Sequence, residues 1–561
     1  MTGADLVCSA LRRLDVECVF GLPGTQNVRL YEAMRACGLR CFVPADEGSA
    51  AFMAAGYARA SGRVGVLATI PGPGFVYALP GVVEARHDSA PLLWITLRQP
   101  DLGRAFQLQR IDQAAMAAPA VKRCLHVDRA EALAATLTAA YELARAGEPG
   151  PVLLEIDAAI LEAPAEDAPV ARSVATAPNV EALAARLAAS SRPVLYVGQG
   201  AQDASDAVRA LARRLRAPVL STSSGRGVLP DADELAFTKD FSEGVGLVVP
   251  ELIDRADLVL TLGCKFTHNG SGGASLSLPQ PKHVRVDASS DVLSANYPAS
   301  LALEGRVEDV LARLASAPLP VSQWRSEELA GIRARLAAES AAPIPLEPTL
   351  PDVKGGSVRA FFEALAEVVG ERGVYVADAG LHQALTRRYA RVLRPRGLLS
   401  PSDFQSMGFG LPGAIGAAVA SPQAQVVACI GDAGLALSMG DLLTAAREGL
   451  SLVVVVFNDG QMSLIRRQQL TNYGHDSGVA VANPDYGALA QAVGCSYFPV
   501  TGDPAEVARQ VFAAGGLRLV ELRLADHPSL EWQRLRAVVR EGVRARLPVG
   551  AVRKLKRLLG R

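Results

Sequence analysis

Residues 426–467 read VVACIGDAGLALSMGDLLTAAREGLSLVVVVFNDGQMSLIRR, and they constrain the fold more than any other stretch. Residues 426–430 are a short apolar, β-branched run, and Gly431-Asp432-Ala433-Gly434 breaks it where a strand would end. The pattern over residues 438–448 predicts a helix packed on a sheet, and residues 452–457 form a second buried-strand run. Asp432 and Asn458 then stand just past the carboxyl ends of two neighbouring parallel strands. That edge is where open α/β sheets bind ligands. A carboxylate, an amide oxygen and a tight glycine turn meeting there suit a hard divalent cation such as Mg²⁺ that bridges to phosphate. An ordinary βαβ unit with polar loops is the competing reading, and only the rest of the chain separates the two.

At 561 residues the chain exceeds a single core, and roughly three or four domains are expected. The formal net charge of +0 argues against broad nucleic-acid binding. The eight cysteines are scattered without a CxxC pair and often lie in apolar runs, so buried reduced thiols are expected. The N-terminal residues 1–17 carry an amphipathic helix pattern without the apolar core of a signal peptide. No stretch reaches the roughly 18–20 uninterrupted apolar residues of a spanning helix. A cytoplasmic enzyme is the default expectation.

Strand and helix patterns alternate through residues 1–165, which implies a parallel, doubly wound sheet. Glu47 follows the strand run at residues 40–44 and opens a small-residue helix pattern, so its carboxylate belongs at the ligand edge or, equally well, serves the helix dipole. A strand over residues 64–70 runs into Pro71-Gly72-Pro73-Gly74. Residues 180–320 form a second α/β unit, where Gly198-Gln199-Gly200 lacks the full dinucleotide fingerprint. The proline-rich residues 341–356 read as an extended linker. Residues 357–528 form a third α/β unit that holds the opening stretch, and residues 529–561 are a basic tail.

Several of these loops carry one resemblance together. The GD…N spacing of Asp432 and Asn458, the segment VPADEGSAAFMAAGYARASGRVGVLATIPGPG around Glu47, and Gln405-Ser406-Met407-Gly408-Phe409-Gly410-Leu411-Pro412 resemble thiamine diphosphate (ThDP)-dependent enzymes. The likeness is greatest to the acetohydroxyacid (acetolactate) synthase large-subunit group. It implies three doubly wound domains: pyrimidine-binding, central and diphosphate-binding. Glu47 would hydrogen-bond N1′ of the aminopyrimidine, and Met407 would wedge between the two cofactor rings. Gly24, Gly380, His382, Gly431, Asp432, Ala433, Gly434, Asn458 and Met462 would contact the cofactor. Asp432, Asn458 and the Gly460 carbonyl would hold Mg²⁺.

The resemblance further implies decarboxylation of a 2-oxo acid, pyruvate first, with carboligation to a second carbonyl. Release of an aldehyde and a flavin-linked oxidation are the alternatives. Glu47 and Asp432 would serve one cofactor from different subunits, which makes a homodimer the minimum and a tetramer plausible. Gln26, Asn27, Tyr77, His87 and Gln461 depart from the family pattern and are read as substrate-lining, with Gln107 and Gln109 competing for one role. Some relatives hold FAD in the central domain, but Lys265-Phe266-Thr267-His268-Asn269-Gly270 replaces the usual stretch there. A structural domain is therefore favoured over an FAD site. The basic tail is expected to pack or be solvated, with a lid or an anionic membrane contact as lesser readings.

Overall fold

The alternation of buried β-branched runs with helices yields three separate sheets, each of six strands and parallel throughout. The computed structural model describes residues 1–166, 178–241 and 244–546. The first sheet runs in the order Arg40–Phe42, Cys18–Gly21, Gly65–Thr69, Leu92–Arg98, Pro151–Asp157, Arg123–Val127. The third runs Leu398–Leu399, Gly373–Ala377, Gln425–Gly431, Leu452–Asn458, Leu517–Arg523, Ser496–Pro499. Counted within each sheet, both follow the order second, first, third, fourth, sixth, fifth strand. The central sheet is wound differently and places Pro193–Val197 beside Leu258–Leu262 at its middle.

One core joins the first and third sheets. The helix Glu47–Ser61 lies against the helix Gly410–Ala420, and Ala50, Met53 and Ala54 meet Leu411, Ala414 and Ile415 in it. Small residues make this approach possible. A Cβ on Gly56 would fall 2.2 Å from the Gly413 carbonyl oxygen, and one on Gly416 would fall 2.0 Å from that of Met53. The buried pair Arg59–Asp88 fastens the same interface. Arg59 also donates to Ser400 O at 2.9 Å, and Asp88 accepts from Ser402 N at 2.9 Å.

Three expectations change in detail. The helix over residues 438–448 is two helices, Asp432–Ser438 and Asp441–Arg447. The first begins directly off the strand, and the chain bends at Gly440, where a Cβ would come 3.1 Å from the Ala45 side chain. The central core extends past residue 320, because Trp324, Leu329, Ile332 and Leu336 are buried in it. The proline-rich segment is not free: Ile344, Leu350 and Val353 are buried under the third sheet, and Thr349 exchanges backbone hydrogen bonds with Ala525.

The helix Ser529–Arg546 lies on the helix Ser463–Tyr473 with Leu530 and Ala537 buried. Arg540 donates to the carbonyls of Thr471 and Asn472 at 2.9 and 2.7 Å, satisfying that helix's last turn. The basic run at residues 553–561 lies outside the described residues. Among the described residues no helix is long and apolar enough to cross a membrane. All eight cysteines are free, and each is buried or half-buried.

Candidate active site

The carboxyl end of the third sheet gathers most of the polar candidates. Asp432 is the first residue after its strand and is buried. Its Oδ1 accepts from Ala433 N at 2.7 Å, and its Oδ2 accepts from Gly460 N at 2.7 Å and Asn483 Nδ2 at 2.9 Å. Asn458, which ends the neighbouring strand, turns its Oδ1 to the same Asn483 Nδ2 at 2.7 Å. Its Nδ2 donates to Glu521 Oε1 at 2.6 Å, which fixes the amide with its oxygen toward Asp432. Glu521 also takes hydrogen bonds from Tyr497 and Arg523. Burial would raise its pKa, but the bonds from Tyr497, Asn458 and Arg523 outweigh that and hold it below the ordinary value. Glu521 and Asn483 escape motif reading, since one lies on another strand and the other on a loop beyond the next helix.

Gly460 meets Asp432 through its N–H, and its carbonyl accepts Val481 N at 2.8 Å, which leaves the second lone pair of that oxygen for a cation. Gln461 pairs with Ala480 across the same narrow ladder, and Met462 is partly exposed beside it.

Below this edge lies His382. A Cβ on Gly380 would fall 2.6 Å from its Cε1, and one on Gly431 2.8 Å from its Nδ1, so both glycines exist to admit the ring. Burial pushes the imidazole down to about 4, so it is neutral near pH 7, and its Nε2 is buried without a partner among the described residues. Asp378, fully buried at the end of Gly373–Ala377, accepts from Ala379 N at 2.9 Å and Gly408 N at 3.0 Å. It thereby pins the loop that carries the half-exposed Met407. Burial raises its pKa to about 6 against those hydrogen bonds. Gly434 is required here as well, because a Cβ would fall 2.1 Å from Asp378 Oδ2.

The equivalent end of the first sheet is organised around Glu47. It opens the helix Glu47–Ser61 and is 7% exposed. Asp46 caps the helix through Ser49 N at 2.9 Å, which leaves Glu47 out of that task. Burial, aided by the charge of Asp46, raises the Glu47 pKa above the ordinary value. A Cβ on Gly74 would lie 2.5 Å from Glu47 Oε1, and Gly24 packs on Ile70 of the same loop. Gln113 holds that loop, accepting from Gly72 N at 3.3 Å and donating to Glu155 at 2.9 Å.

The substrate-lining candidates divide. Gln109 lies against Gly72, while Gln107 is half-buried with neither amide atom partnered among the described residues. Gln26 is half-buried near Gly24, and Tyr77 is 62% exposed with its carbonyl over Gly48. Asn27 is not available for substrate. It is buried, accepts from Gly24 N at 2.7 Å and donates to Leu22 O at 3.1 Å, because the turn's backbone needs those partners. His87 ends the helix Pro73–His87, about 20 Å from Gly74 by helical rise, and stacks on Phe404. It lines a cavity of ≈ 1070 Å³ next to the central sheet, together with Gly198, Gly200, Lys265 and Asp287. Lys265 there pairs with Glu148 at 2.6 Å, and Phe266 packs on Tyr297.

Within one chain the strand end before Glu47 meets the second helix of the pair: Ala45 donates to Asp441 Oδ1 at 3.0 Å, while Asp432 begins the first helix.

Comparison with known proteins bears on these edges. The family models described as thiamine pyrophosphate enzyme N-terminal TPP binding, central, and C-terminal TPP binding domains match residues 1–116, 180–314 and 378–522. A probable 2-ketoarginine decarboxylase of Pseudomonas aeruginosa is 33% identical over 545 residues, 94% of each chain. The acetolactate synthase isozyme 1 large subunit of Escherichia coli is 30% identical over 483 residues, 84% of each. A probable acetolactate synthase large subunit of Methanocaldococcus jannaschii is 28% identical over 519 residues, 88% of this chain and 86% of its own.

Proposed function

Since the chain belongs to the thiamine pyrophosphate enzymes, in the group similar to acetolactate synthase large subunits, we propose that it decarboxylates a 2-oxo acid, pyruvate first, and joins the remaining fragment to a second carbonyl compound. The observation that carries this reading is the pairing of a buried acid, Glu47, on one sheet edge with converging oxygens, Asp432 and Asn458, on the matching edge of a like-wound sheet.

The residues present fit thiamine diphosphate with Mg²⁺. Hard oxygen ligands converge at Asp432 and Asn458, and the neutral His382 keeps a buried, unpartnered Nε2 beneath the glycine turns. When bound, the cofactor supplies the thiazolium that stabilises the carbanion left by loss of CO₂. Asp432 and Asn458 would hold the cation and with it the diphosphate. Glu47, its pKa raised by burial, would hydrogen-bond the aminopyrimidine nitrogen and exchange a proton with it. Asp378 sets the loop from which Met407 would hold the two rings in their bent form. Excluding water around these apolar walls favours loss of a substrate carboxylate's charge.

A second copy supplies the missing half of each site in this reading, since within one chain the strand end before Glu47 is tied to Asp441, one helix beyond Asp432. Exposed Val76, Tyr77, Phe106, Leu437 and Leu443 offer the apolar surface such a homodimer would cover. The flavin-linked alternative is disfavoured, because Lys265 and Phe266 are engaged with protein partners.

Ending at an aldehyde is the second reading, favoured by the extent of the likeness to the Pseudomonas aeruginosa decarboxylase. Offering a panel of 2-oxo acids, pyruvate and a guanidino 2-oxo acid among them, with and without carbonyl acceptors separates the two. Mass spectrometry of a coupled product supports ligation. CO₂ release with only aldehyde formed, whatever the acceptor, overturns it.

A further inference from the structure

The loop between the helices Ser463–Tyr473 and Tyr486–Val493 crosses directly over the proposed cation site. It is tied down along its length. Ser477 exchanges hydrogen bonds with the Gln469 side chain at 3.0 and 3.1 Å, and Val479 O and Val481 N pair with Met462 N and Gly460 O, each at 2.8 Å. Asn483 follows, and Pro484 and the helix cap Asp485, which accepts from Ala488 N at 3.0 Å, restrict the chain beyond it. The Asn483 side chain is therefore set in place by the strap and not by its own exposure.

Its amide reaches two oxygens at once, 2.9 Å from Asp432 Oδ2 and 2.7 Å from Asn458 Oδ1. Adjacent oxygens around an octahedral Mg²⁺ with bonds of 2.0–2.1 Å stand about 2.9 Å apart. The amide atom at this point thus holds the position of a neighbouring ligand to both. Nitrogen and oxygen of an amide have the same shape, and surroundings choose between them. Asn458 is fixed in one sense by Glu521. Asn483 is turned with its Nδ2 inward only by Asp432 Oδ2 and Asn458 Oδ1, a choice that a cation between those oxygens reverses, and among the described residues its Oδ1 is buried without a donor. A buried acceptor left unpaired is costly. Turning the Asn483 amide by half a rotation brings a third oxygen beside Asp432 and Asn458, an arrangement that a cation among them stabilises. The Gly460 carbonyl accepts from Val481 N and keeps its second lone pair for the same cation.

We propose that Asn483 is a side-chain ligand of the divalent cation, coordinating through Oδ1 beside Asp432 and Asn458. The assignment rests on the cofactor reading above. Cation binding then also fastens the 474–485 strap, which brings the segment after Asn458 under the control of the metal.

Metal affinity of the full chain tests this. Mg²⁺ is titrated by calorimetry at saturating ThDP, with Mn²⁺ uptake followed by electron paramagnetic resonance, in wild type, Asn483→Ala and Asn483→Asp. Loss of the ligand in Asn483→Ala should weaken the cation by about ten- to a hundredfold. Asn483→Asp, which keeps an oxygen and loses the N–H donor, should bind at least as tightly as wild type. Unchanged affinity in Asn483→Ala overturns the assignment. So does equal weakening in both variants, which would make Asn483 a hydrogen-bond donor that positions the other two. Wild type that takes up no cation with ThDP present overturns the cofactor reading itself, and is thereby told apart from the first two results. Melting without metal checks that Asn483→Ala folds. If it does not, the Asn483→Asp affinity alone decides, weakening against the proposal and tightening for it.

Discussion

The first and third sheets have the same strand order and offer their ligand edges through the same four strand ends, yet the chemistry at those ends differs. After the first strand stand Gly24 in one and Gly380 with His382 in the other. The second strand leads to Glu47 or to Met407, the third to Gly72 and Gly74 or to Asp432, the fourth to Gln109 or to Asn458. The third sheet's edge is a closed polar network in which each group has its orientation set by another, as Glu521 sets Asn458. The first sheet's edge centres on one buried acid, Glu47, set among small residues, with Asp46 occupied as the helix cap. A shared winding thus fixes where a ligand can sit, and the loops decide which end of the ligand it is.

The sharpest way to break this comparison is to remove each half in turn. Glu47→Gln should lower CO₂ release by about 10²–10⁴-fold while leaving Mg²⁺ and ThDP binding near wild type. Asp432→Ala should lose binding itself, read by calorimetry. Mixing the two inactive variants after dissociation should recover up to about a quarter of wild-type activity if sites form between copies. No recovery from subunits shown to exchange places both halves in one chain.

Next in size is the clasp that holds the twin sheets together. Asp88→Ala leaves Arg59 buried and unpaired and should destabilise the chain by about 3–5 kcal/mol, measured by denaturant unfolding. A loss below ~1 kcal/mol would mean the sheets hold through helix packing alone.

Glu521→Ala tests whether the polar edge depends on its supports. Freed to rotate, Asn458 should hold the cation about 10–100-fold more weakly, seen in the same titration.

The smallest effect is a pH dependence at the seam. Glu84 is fully buried, accepts from Ser406 N at 2.8 Å and is raised to about 8 by burial and by Asp88. Its folded pKa lies above the unfolded one, so its contribution is present below the ordinary carboxylate range and is lost as pH rises through about 8. Melting temperature of wild type should therefore fall relative to Glu84→Gln between pH 6 and about 9, and a constant difference across that range would remove Glu84 as its source.

Much of this was legible from residues alone. Strand runs, glycine turns and the positions of Glu47, Asp432 and Asn458 after strand ends follow from local periodicity, because burial of a parallel strand leaves an apolar run and its ending leaves a break. The small-residue helix after Glu47 announced close packing, although its partner, Gly410–Ala420, lies some 350 residues away and no local pattern names it. Asn27 was misread because a buried amide that caps its own turn and an amide that faces substrate look alike in a string of letters. His87 was misplaced for a related reason: a helix of 15 residues separates its ends by about 20 Å, and the sequence does not say which end faces the ligand.

The sequence by itself determined the alternation, and with it three parallel sheets, and it placed an acid, an amide and their glycine turns at sheet edges. Those are local consequences of which side chains must leave water and which backbones must turn. Only the tertiary structure decided that Glu521 orients Asn458, that Asp378 pins the Met407 loop, that Asn483 reaches across from its strap, and that Ala45, just before Glu47, is tied to Asp441. Each depends on distance between segments remote in sequence. Packing sets that distance, and the order of residues alone does not carry it.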